Sequence, residues 1–524
     1  MRWEPARGRR ARRLRAALLA SALAGALVLT GCGGGGSADD SGYSSREKAR
    51  GDSGPGPAPA PAQSLGPGED FAEGRNDRLR PTGEPDPSDY LSTFALDVDT
   101  ASYGYARRTL ADGRRPDPAA IRPEEFVNSF RQDYERPDGN GFSVTVDGAR
   151  TDREGWSLVR VGLATREAPD DSERPPAALT FVIDVSGSMA EPGRLDLVKD
   201  SLGVMTDRLR DDDSVALVTF SDDAETVLPM TRLGAGRGRI HDAIDSLEPS
   251  NSTNLGAGVE EGYAEAVEGR RPGVTNRVVL LSDALANTGD TDAGTILERI
   301  DGARREHGIT LFGVGVGSDY GDALMERLAD KGDGHTVYVS EPRDAYEVFC
   351  EQLPQNIDLA ARDAKAQVAF DPETVEEYRL IGYDNRQVAD EDFRDDRVDG
   401  GEVGPGHTVT ALYAVRTRPG ASGHLATATV RWQDPDTRSP HEESGRLEAQ
   451  SLRDDLWTAP EGLRTTAIAA YFADALRRGD SRWASLPGTP SLRELTAHAR
   501  ELPRNKETEE LTRALEQATE PHEY

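Results

Sequence analysis

The sequence contains few cysteines and histidines. Only two of its 524 residues are cysteine, so no disulfide framework supports the fold. The eight histidines include no His-Glu-x-x-His pair and no spacing typical of zinc ligands. The sequence also has no Gly-x-Ser-x-Gly segment, the signature of a hydrolase nucleophile elbow. The sequence therefore does not favour a disulfide-stabilised fold, a zinc site or a serine hydrolase triad.

Positive charge is scarce as well. The chain has 62 lysines and arginines against 93 aspartates and glutamates, a net charge of −31. Such a protein does not bind nucleic acid by charge, and it is repelled by anionic lipids. Hydrophobic residues make up only 36%, so part of the chain is expected to lie outside any packed core. The length exceeds what one core organises, which predicts several domains.

The first 31 residues have the pattern of a secretory signal peptide. A stretch of arginines precedes an apolar run at 16–30, which is too short to span a membrane and ends in Leu-Thr-Gly-Cys at Cys32. This ending resembles a bacterial lipobox, in which the cysteine becomes the lipidated first residue. The resemblance implies a protein anchored through Cys32 at the outer face of the bacterial cytoplasmic membrane. An ordinary cleaved signal and a membrane anchor are the alternatives.

The rest of the chain divides by composition and periodicity. Residues 32–87 are rich in Gly, Ser, Pro and Ala and predict a disordered tether. Four regions follow: 88–177 with helices and then strands, 178–345 with an α/β pattern, 346–440 rich in β-strands, and 441–524 with helices. We expect the strands of 346–440 to pair with those of 141–165 in a β-sandwich. A helix that Asp99 or Thr100 caps should begin the N-terminal region.

The α/β pattern consists of continuous apolar runs separated by helical periodicity. The runs begin at Leu179, Val215, Arg277, Ile309 and Thr336. Strands that are apolar on both faces are typical of a parallel sheet covered by helices on both sides. The sequence therefore predicts a doubly wound, mostly parallel α/β sheet inserted in the sandwich, with helical N- and C-terminal segments.

Three loops rich in side-chain oxygen follow strands or enter helices of this sheet. The first contains Asp184, Ser186 and Ser188, the second Thr253, and the third Asp283. Ligand sites of open parallel sheets lie beyond the carboxyl ends of the strands, so we expect the three loops to meet there. The simpler alternative is that Asp184 and the serines cap a helix.

The order Asp-x-Ser-x-Ser, then threonine, then aspartate resembles the metal-ion-dependent adhesion site of the von Willebrand factor type A family. The resemblance implies that Asp184, Ser186, Ser188, Thr253 and Asp283 hold Mg²⁺ or Mn²⁺, cations that prefer oxygen ligands. With hydroxyls as direct ligands, the cation would keep charge to accept a partner's carboxylate. Ala284 stands where the family commonly has glycine. The flanking segments at 92–103, 378–386 and 404–413 look like bacterial type A domain proteins with dedicated N- and C-terminal regions.

These features favour a cell-surface binding protein that recognises an acidic protein or wall polymer through the cation. No catalytic residue and no nucleotide are expected. The alternative is a metal-dependent hydrolase acting outside the membrane, for which Asp222, Asp223 and Asp290 are the candidate general bases. A third hypothesis, partnership with a hexameric ATPase, conflicts with export because ATP is absent outside the cell.

Four weaker signals favour structural roles. The pair Asp97 and Asp99 has only part of the haloacid dehalogenase phosphatase pattern, and the glycines at 313–317 lack the spacing of a nucleotide loop. His335 and His407 are interpreted as structural histidines. The acidic segment 390–399 lacks the order of a calcium loop and predicts a solvated turn.

Overall fold

The structure is a computed structural model. It describes residues 90–96, 99–167, 174–271, 273–283, 295–296, 298, 300, 306–317, 336–339, 345–346, 348–349, 359–384, 386–396, 398, 400–435, 437–478 and 485–520. All of them belong to the unit Arg78–Tyr524. The predicted signal peptide, tether and lipidation site at Cys32 lie outside these residues, as do Cys350, Asp97 and His335. Within the described ranges, no helix has the length and hydropathy needed to cross a bilayer.

Strands and helices are both frequent among the described residues. They are β1 (Leu91–Ala95), β2 (Phe142–Arg150), β3 (Trp156–Thr165), β4 (Ala177–Asp184), β5 (Ser214–Phe220), β6 (Ala224–Arg232), β7 (Thr275–Ser282), β8 (Thr310–Val316), β9 (Thr336–Val339), β10 (Ala361–Phe370), β11 (Val375–Leu380), β12 (Gly401–Val403), β13 (Thr408–Thr417), β14 (His424–Gln433) and β15 (Pro440–Glu448). The helices are α1 (Ala101–Ala111), α2 (Pro123–Asn128), α3 (Leu195–Arg208), α4 (Leu233–Asp245), α5 (Leu255–Glu268), α6 (Glu461–Arg477), α7 (Leu492–Arg500) and α8 (Lys506–Ala518).

The predicted α/β region contains a six-stranded sheet in the order β6-β5-β4-β7-β8-β9. All neighbouring strands are parallel except β6, which pairs with β5 in the antiparallel direction. Every residue of β4 is buried, as a strand covered on both faces requires. The predicted mostly parallel α/β sheet is therefore confirmed.

Helices cover both faces of this sheet. On one face, α3 and α4 pack against Leu179, Phe181 and Ile183 of β4. On the other face, α5 packs against Val182 of β4 and its neighbours in β5 and β7. Successive residues of a strand point to opposite faces, so β4 contributes to both cores. This arrangement is the doubly wound fold that the sequence predicts.

Two antiparallel sheets form the sandwich that flanks the α/β sheet in sequence. One has the order β11-β13-β3-β2, and the other has the order β1-β10-β14-β15, with β12 paired to β10. The predicted pairing of the 141–165 strands with a later strand is present, because β3 pairs with β13. The strand at 426–432, however, lies in the second sheet as β14. The two sheets enclose a common core with Val161, Val368 and Val430 among its members.

The remaining helices cover the outer face of the β3-β13 sheet. Leu158 of β3 and Leu412 of β13 pack in one apolar cluster with α1, α2, α6, α7 and α8. The predicted N-terminal helix is α1, and Thr100, one of the two predicted capping residues, occupies its N-cap position, but the Thr100 side chain makes no capping hydrogen bond. Instead, the Glu125 carboxylate accepts a hydrogen bond from the Ser102 amide at 2.7 Å. An acidic group near a helix N-terminus offsets the positive end of its dipole.

A buried ion cluster connects the α/β sheet with the sandwich. Arg277 of β7 lies 4.0 Å from Glu402 of β12, which also accepts a hydrogen bond from Arg362 of β10 at 2.8 Å. Burial lowers the pKa of Arg277 to about 10, although Glu402 opposes this effect. Burial raises the pKa of Glu402 despite its two arginine neighbours. The cluster joins three strands from the two parts of the chain.

His407 is expected to make folding sensitive to pH. Burial and the nearby Arg131, Arg136 and Arg277 lower the pKa of His407 to about 4. Between this value and about 6.5, the ordinary histidine pKa, the unfolded chain binds a proton that the folded chain does not. The free energy of unfolding should therefore fall as the pH drops from about 6.5 to 4, by up to ~1.4 kcal/mol per pH unit. Urea denaturation at several pH values measures this fall.

His407→Gln is the matched variant for that experiment. It keeps a polar side chain of similar size and removes the titration, so its stability should depend less on pH in this window. An identical pH dependence in the two proteins would contradict the assignment.

Candidate metal site

Asp184 lies at the carboxyl end of the central strand β4. Strand β4 lies between β5 and β7, and Asp184 is paired in register with Phe220 of β5. The Asp184 side chain is fully buried. Its Oδ2 accepts a hydrogen bond from the Ser282 hydroxyl at 2.6 Å, and its Oδ1 accepts one from the Ser186 amide at 2.8 Å. These bonds fix the carboxylate at the edge where the predicted site should form.

The two serines follow Asp184 in a tight turn. Ser186 precedes a short 3₁₀ helix, Gly187–Ala190, and its side chain makes no capping hydrogen bond. The Ser186 and Ser188 hydroxyl oxygens are instead 3.1 Å apart. Helix capping by the serine side chains is therefore not what the structure shows. The two hydroxyls form a pair of hard oxygen donors next to Asp184.

Backbone hydrogen bonds hold the Thr253 loop against this turn. The Gly187 amide donates to the Asn251 carbonyl at 2.8 Å, and the Ser250 amide donates to the Val185 carbonyl at 2.5 Å. A Cβ atom at position 187 would lie 3.2 Å from the Asn251 oxygen, so glycine permits this close approach. Thr253 itself is 1% exposed. The second predicted loop therefore adjoins the first.

Asp283 follows Ser282 at the end of β7. Its side chain is 4% exposed, and its Oδ2 accepts a hydrogen bond from the Arg194 guanidinium at 2.5 Å. Its Oδ1 is buried and has no hydrogen-bond partner among the residues that the structure describes. Such an oxygen is costly unless a ligand satisfies it.

The two aspartates influence each other electrostatically. Burial raises the pKa of Asp184, hydrogen bonds from Ser282 and Ser186 oppose this rise, and the neighbouring Asp283 raises the pKa further. Two carboxylates in one buried site repel each other, and a divalent cation would relieve this repulsion. The donor set of carboxylate and hydroxyl oxygens suits Mg²⁺ or Mn²⁺. The unsatisfied Asp283 oxygen fits the same cation.

The structure gives less support to other metal ligands and to the proposed general bases. No group of three or more histidine, cysteine or acidic side chains forms a metal cluster within the described part of the chain. The proposed general bases Asp222 and Asp223 lie in the exposed hairpin between β5 and β6. Asp290 and Ala284 lie outside the described residues.

Sequence reasoning missed two residues that contact the site, Arg194 and Ser282. Ser282 could have been noticed, because it is a polar residue at the end of an apolar strand and directly precedes Asp283. Arg194 gives no such signal, since an arginine before a helix is usually solvated. Only the fold brings it to Asp283, 89 positions later in the chain.

Sequence-family models match three parts of the chain. The model of the von Willebrand factor type A domain matches residues 178–350. A model described as von Willebrand factor matches residues 74–159, and one described as the C-terminal part of the uncharacterized protein YfbK matches residues 356–422. With the doubly wound sheet, the first match defines the class: this is a protein with a von Willebrand factor type A domain.

Individual relatives narrow this class. The uncharacterized protein YfbK of Escherichia coli (strain K12) is 34% identical over 411 residues, which cover 74% of this chain and 71% of that protein. The chain therefore belongs to the YfbK family. The inter-alpha-trypsin inhibitor heavy chain H2 of Mus musculus is 26% identical over 175 residues, which cover 32% of this chain and 18% of that protein. A solved von Willebrand factor type A structure from Catenulispora acidiphila aligns with a TM-score of 0.43 and 16% identity, over 66% of this chain and 80% of that one.

Proposed function

We propose that the protein is a cell-surface binding protein that recognises an acidic ligand through a divalent cation. The residues that would hold the cation are Asp184, Ser186, Ser188, Thr253 and Asp283. The bound cation would supply a positive charge with an open position for a carboxylate or phosphate oxygen of the ligand. The chain's own residues would orient that cation and shield it from the surrounding acidic surface.

The buried Oδ1 of Asp283 is the observation that carries this proposal. It lacks a hydrogen-bond partner among the described residues, next to a second buried carboxylate. The serine hydroxyl pair at 3.1 Å adds donors that no helix cap uses. A cation accounts for all of these features, whereas helix capping accounts for none.

The surroundings of the site support binding rather than catalysis. Asp222 and Asp223 are exposed in a hairpin. The Asp222 carbonyl accepts a hydrogen bond from the Asn254 side-chain amide, and the Asp223 carbonyl accepts one from the Ser221 backbone amide. Among the described residues, neither carboxylate forms a hydrogen bond or ion pair that connects it to Asp184 or Asp283. We therefore propose a non-enzymatic role. In this proposal the domain lies outside the cytoplasmic membrane, with 32–87 as its tether, and the lipobox-like sequence at Cys32 supports that location.

Surface plasmon resonance with the immobilised protein tests the proposal. The probes are poly-L-glutamate, which carries carboxylates, and poly(glycerol phosphate), which resembles an acidic wall polymer. The protein's own net charge of −31 repels both, so binding should require millimolar Mg²⁺ and disappear in chelator. Asp184→Ala should bind neither probe, and binding that persists in chelator would refute the proposal.

The hairpin variant Asp222→Asn/Asp223→Asn serves as the matched control. It removes two acidic groups near the same edge of the sheet without touching the five candidate ligands. Its metal-dependent binding should equal that of the unmodified protein. Metal-dependent cleavage of either polymer that this variant loses would favour the hydrolase instead.

A further inference from the structure

Arg194 contacts two parts of the candidate cation site, the serine turn and Asp283. It directly precedes α3, and its side chain is 7% exposed. Its guanidinium donates to Asp283 Oδ2 at 2.5 Å and to the Ser188 carbonyl at 3.2 Å. It also forms an ion pair with Glu191 at 2.9 Å. One side chain thus joins the serine turn to the end of β7.

The end of β8 is shaped to accommodate this arginine. A Cβ atom at Gly317 would lie 3.1 Å from Arg194 Nε and 3.5 Å from its Cγ. Gly317 also has a φ of +103°, which only glycine adopts without strain. The glycine-rich end of β8 therefore leaves room for the arginine stem, which is a structural reason for a motif that resembles a nucleotide loop in sequence.

The positive charge of Arg194 affects how strongly the site attracts a cation. Arginine remains protonated at any physiological pH, so a permanent positive charge lies against Asp283. This charge offsets the repulsion between Asp184 and Asp283, and it also repels a divalent cation nearby. The hydrogen bond to Oδ2 leaves Oδ1 as the oxygen available to a ligand.

We propose that Arg194 is a fixed counter-ion of Asp283. Its guanidinium positions the Asp283 carboxylate and sets the affinity of the site for divalent cations. This inference rests on the proposed function, because it assumes that the five ligands bind a cation. It explains how two buried carboxylates coexist before the cation binds. It also predicts that the site binds divalent cations more weakly than the same five ligands would bind them without the charge of Arg194.

Isothermal titration calorimetry of the purified protein with MgCl₂ and MnCl₂ tests this inference. Arg194→Met removes the charge and keeps an apolar stem over Gly317, so both cations should bind about tenfold more tightly. Arg194→Lys keeps the charge and should bind with nearly the affinity of the unmodified protein. A purely structural role predicts weaker binding in both variants, and equal or weaker binding by folded Arg194→Met would overturn the proposal.

A double-mutant cycle of melting temperatures tests the same inference if Arg194→Met alone does not fold. In chelator, Asp283→Asn leaves Arg194 without its partner and should lower the melting temperature. The double variant Asp283→Asn/Arg194→Met should recover part of that loss, because the unpaired charge is gone. Additive losses would contradict the counter-ion role. If the unmodified protein binds neither cation, the proposed function fails, whereas binding without the Arg194→Met gain overturns only this inference.

Discussion

Replacing Asp184 with alanine should weaken magnesium and manganese binding by about a hundredfold or more. Asp184 is fully buried at the end of the central strand and holds the Ser186 amide and the Ser282 hydroxyl through its two oxygens. The substitution removes one of two carboxylate charges and releases the turn that presents the serines. Isothermal titration calorimetry measures the loss directly.

Two further variants separate the site from the overall charge. Asp184→Asn keeps the size of the side chain but not its charge, and it should lose most of the affinity as well. Glu248→Gln removes one exposed acidic charge elsewhere on the same domain and should bind normally. Equal cation affinity in Asp184→Ala and Glu248→Gln would mean that binding does not depend on this site.

The same experiment has a thermal counterpart. A ligand that binds only the folded state stabilises it, by about 2.7 kcal/mol at one hundred times its dissociation constant. The unmodified protein should therefore melt at a higher temperature with magnesium than with chelator. Asp184→Ala should show no such difference.

Glu402→Ala should destabilise the protein by about 3–5 kcal/mol, the usual cost of removing one partner from a buried ion pair. The variant leaves Arg277, which is 2% exposed, and Arg362 without the carboxylate between them. Arg277 Nε and Nη1 already lack hydrogen-bond partners within the described residues, so none of these residues is placed to replace Glu402. Urea denaturation followed by circular dichroism measures the loss.

The control for this prediction is Glu443→Ala on the exposed strand β15. A surface substitution of this kind should change the free energy of unfolding by less than about 0.5 kcal/mol. The double variant Arg277→Met/Glu402→Leu removes both charges and should regain most of the stability. A loss of less than about 1 kcal/mol in Glu402→Ala would show that the cluster does not hold the two parts together.

The strands of the α/β sheet could be predicted because burial on both faces leaves an uninterrupted apolar run. Strand β6 was not predicted, since it lies at the sheet edge, alternates polar residues and contains Pro229. Proline is tolerated at edges, where a strand needs fewer backbone donors. Strand β15 was missed for a similar reason, because six of its nine residues are exposed at the edge of the sandwich.

Membership of a particular sandwich sheet could not be predicted. The alternating pattern of β14 shows that one face is buried, and either sheet of the sandwich satisfies that pattern. The packing of the acidic segment at 390–399 could not be predicted from its sequence either. It packs on the sandwich through the buried Phe393, and the buried Lys365 ammonium donates to its Asp395 and Val398 carbonyls. Its charges alone predict only a solvated turn.

The candidate site follows from the order of oxygen-bearing residues after successive strands, which the parallel topology brings to one edge. Arg194 could not be predicted, because its role depends on the distance between α3 and the end of β7. Its pairing with Asp283 is a tertiary contact with no local sequence pattern. The prediction of five ligands therefore describes the donors of the site but not the charge that balances them.

The most direct test is anomalous diffraction from crystals of the protein soaked in manganese chloride. We expect one strong manganese peak bounded by Ser186, Ser188 and Asp283, and no peak at this position in Asp184→Ala crystals. Manganese bound only elsewhere, or the same peak in the variant, would contradict the cation site on which the proposed function depends.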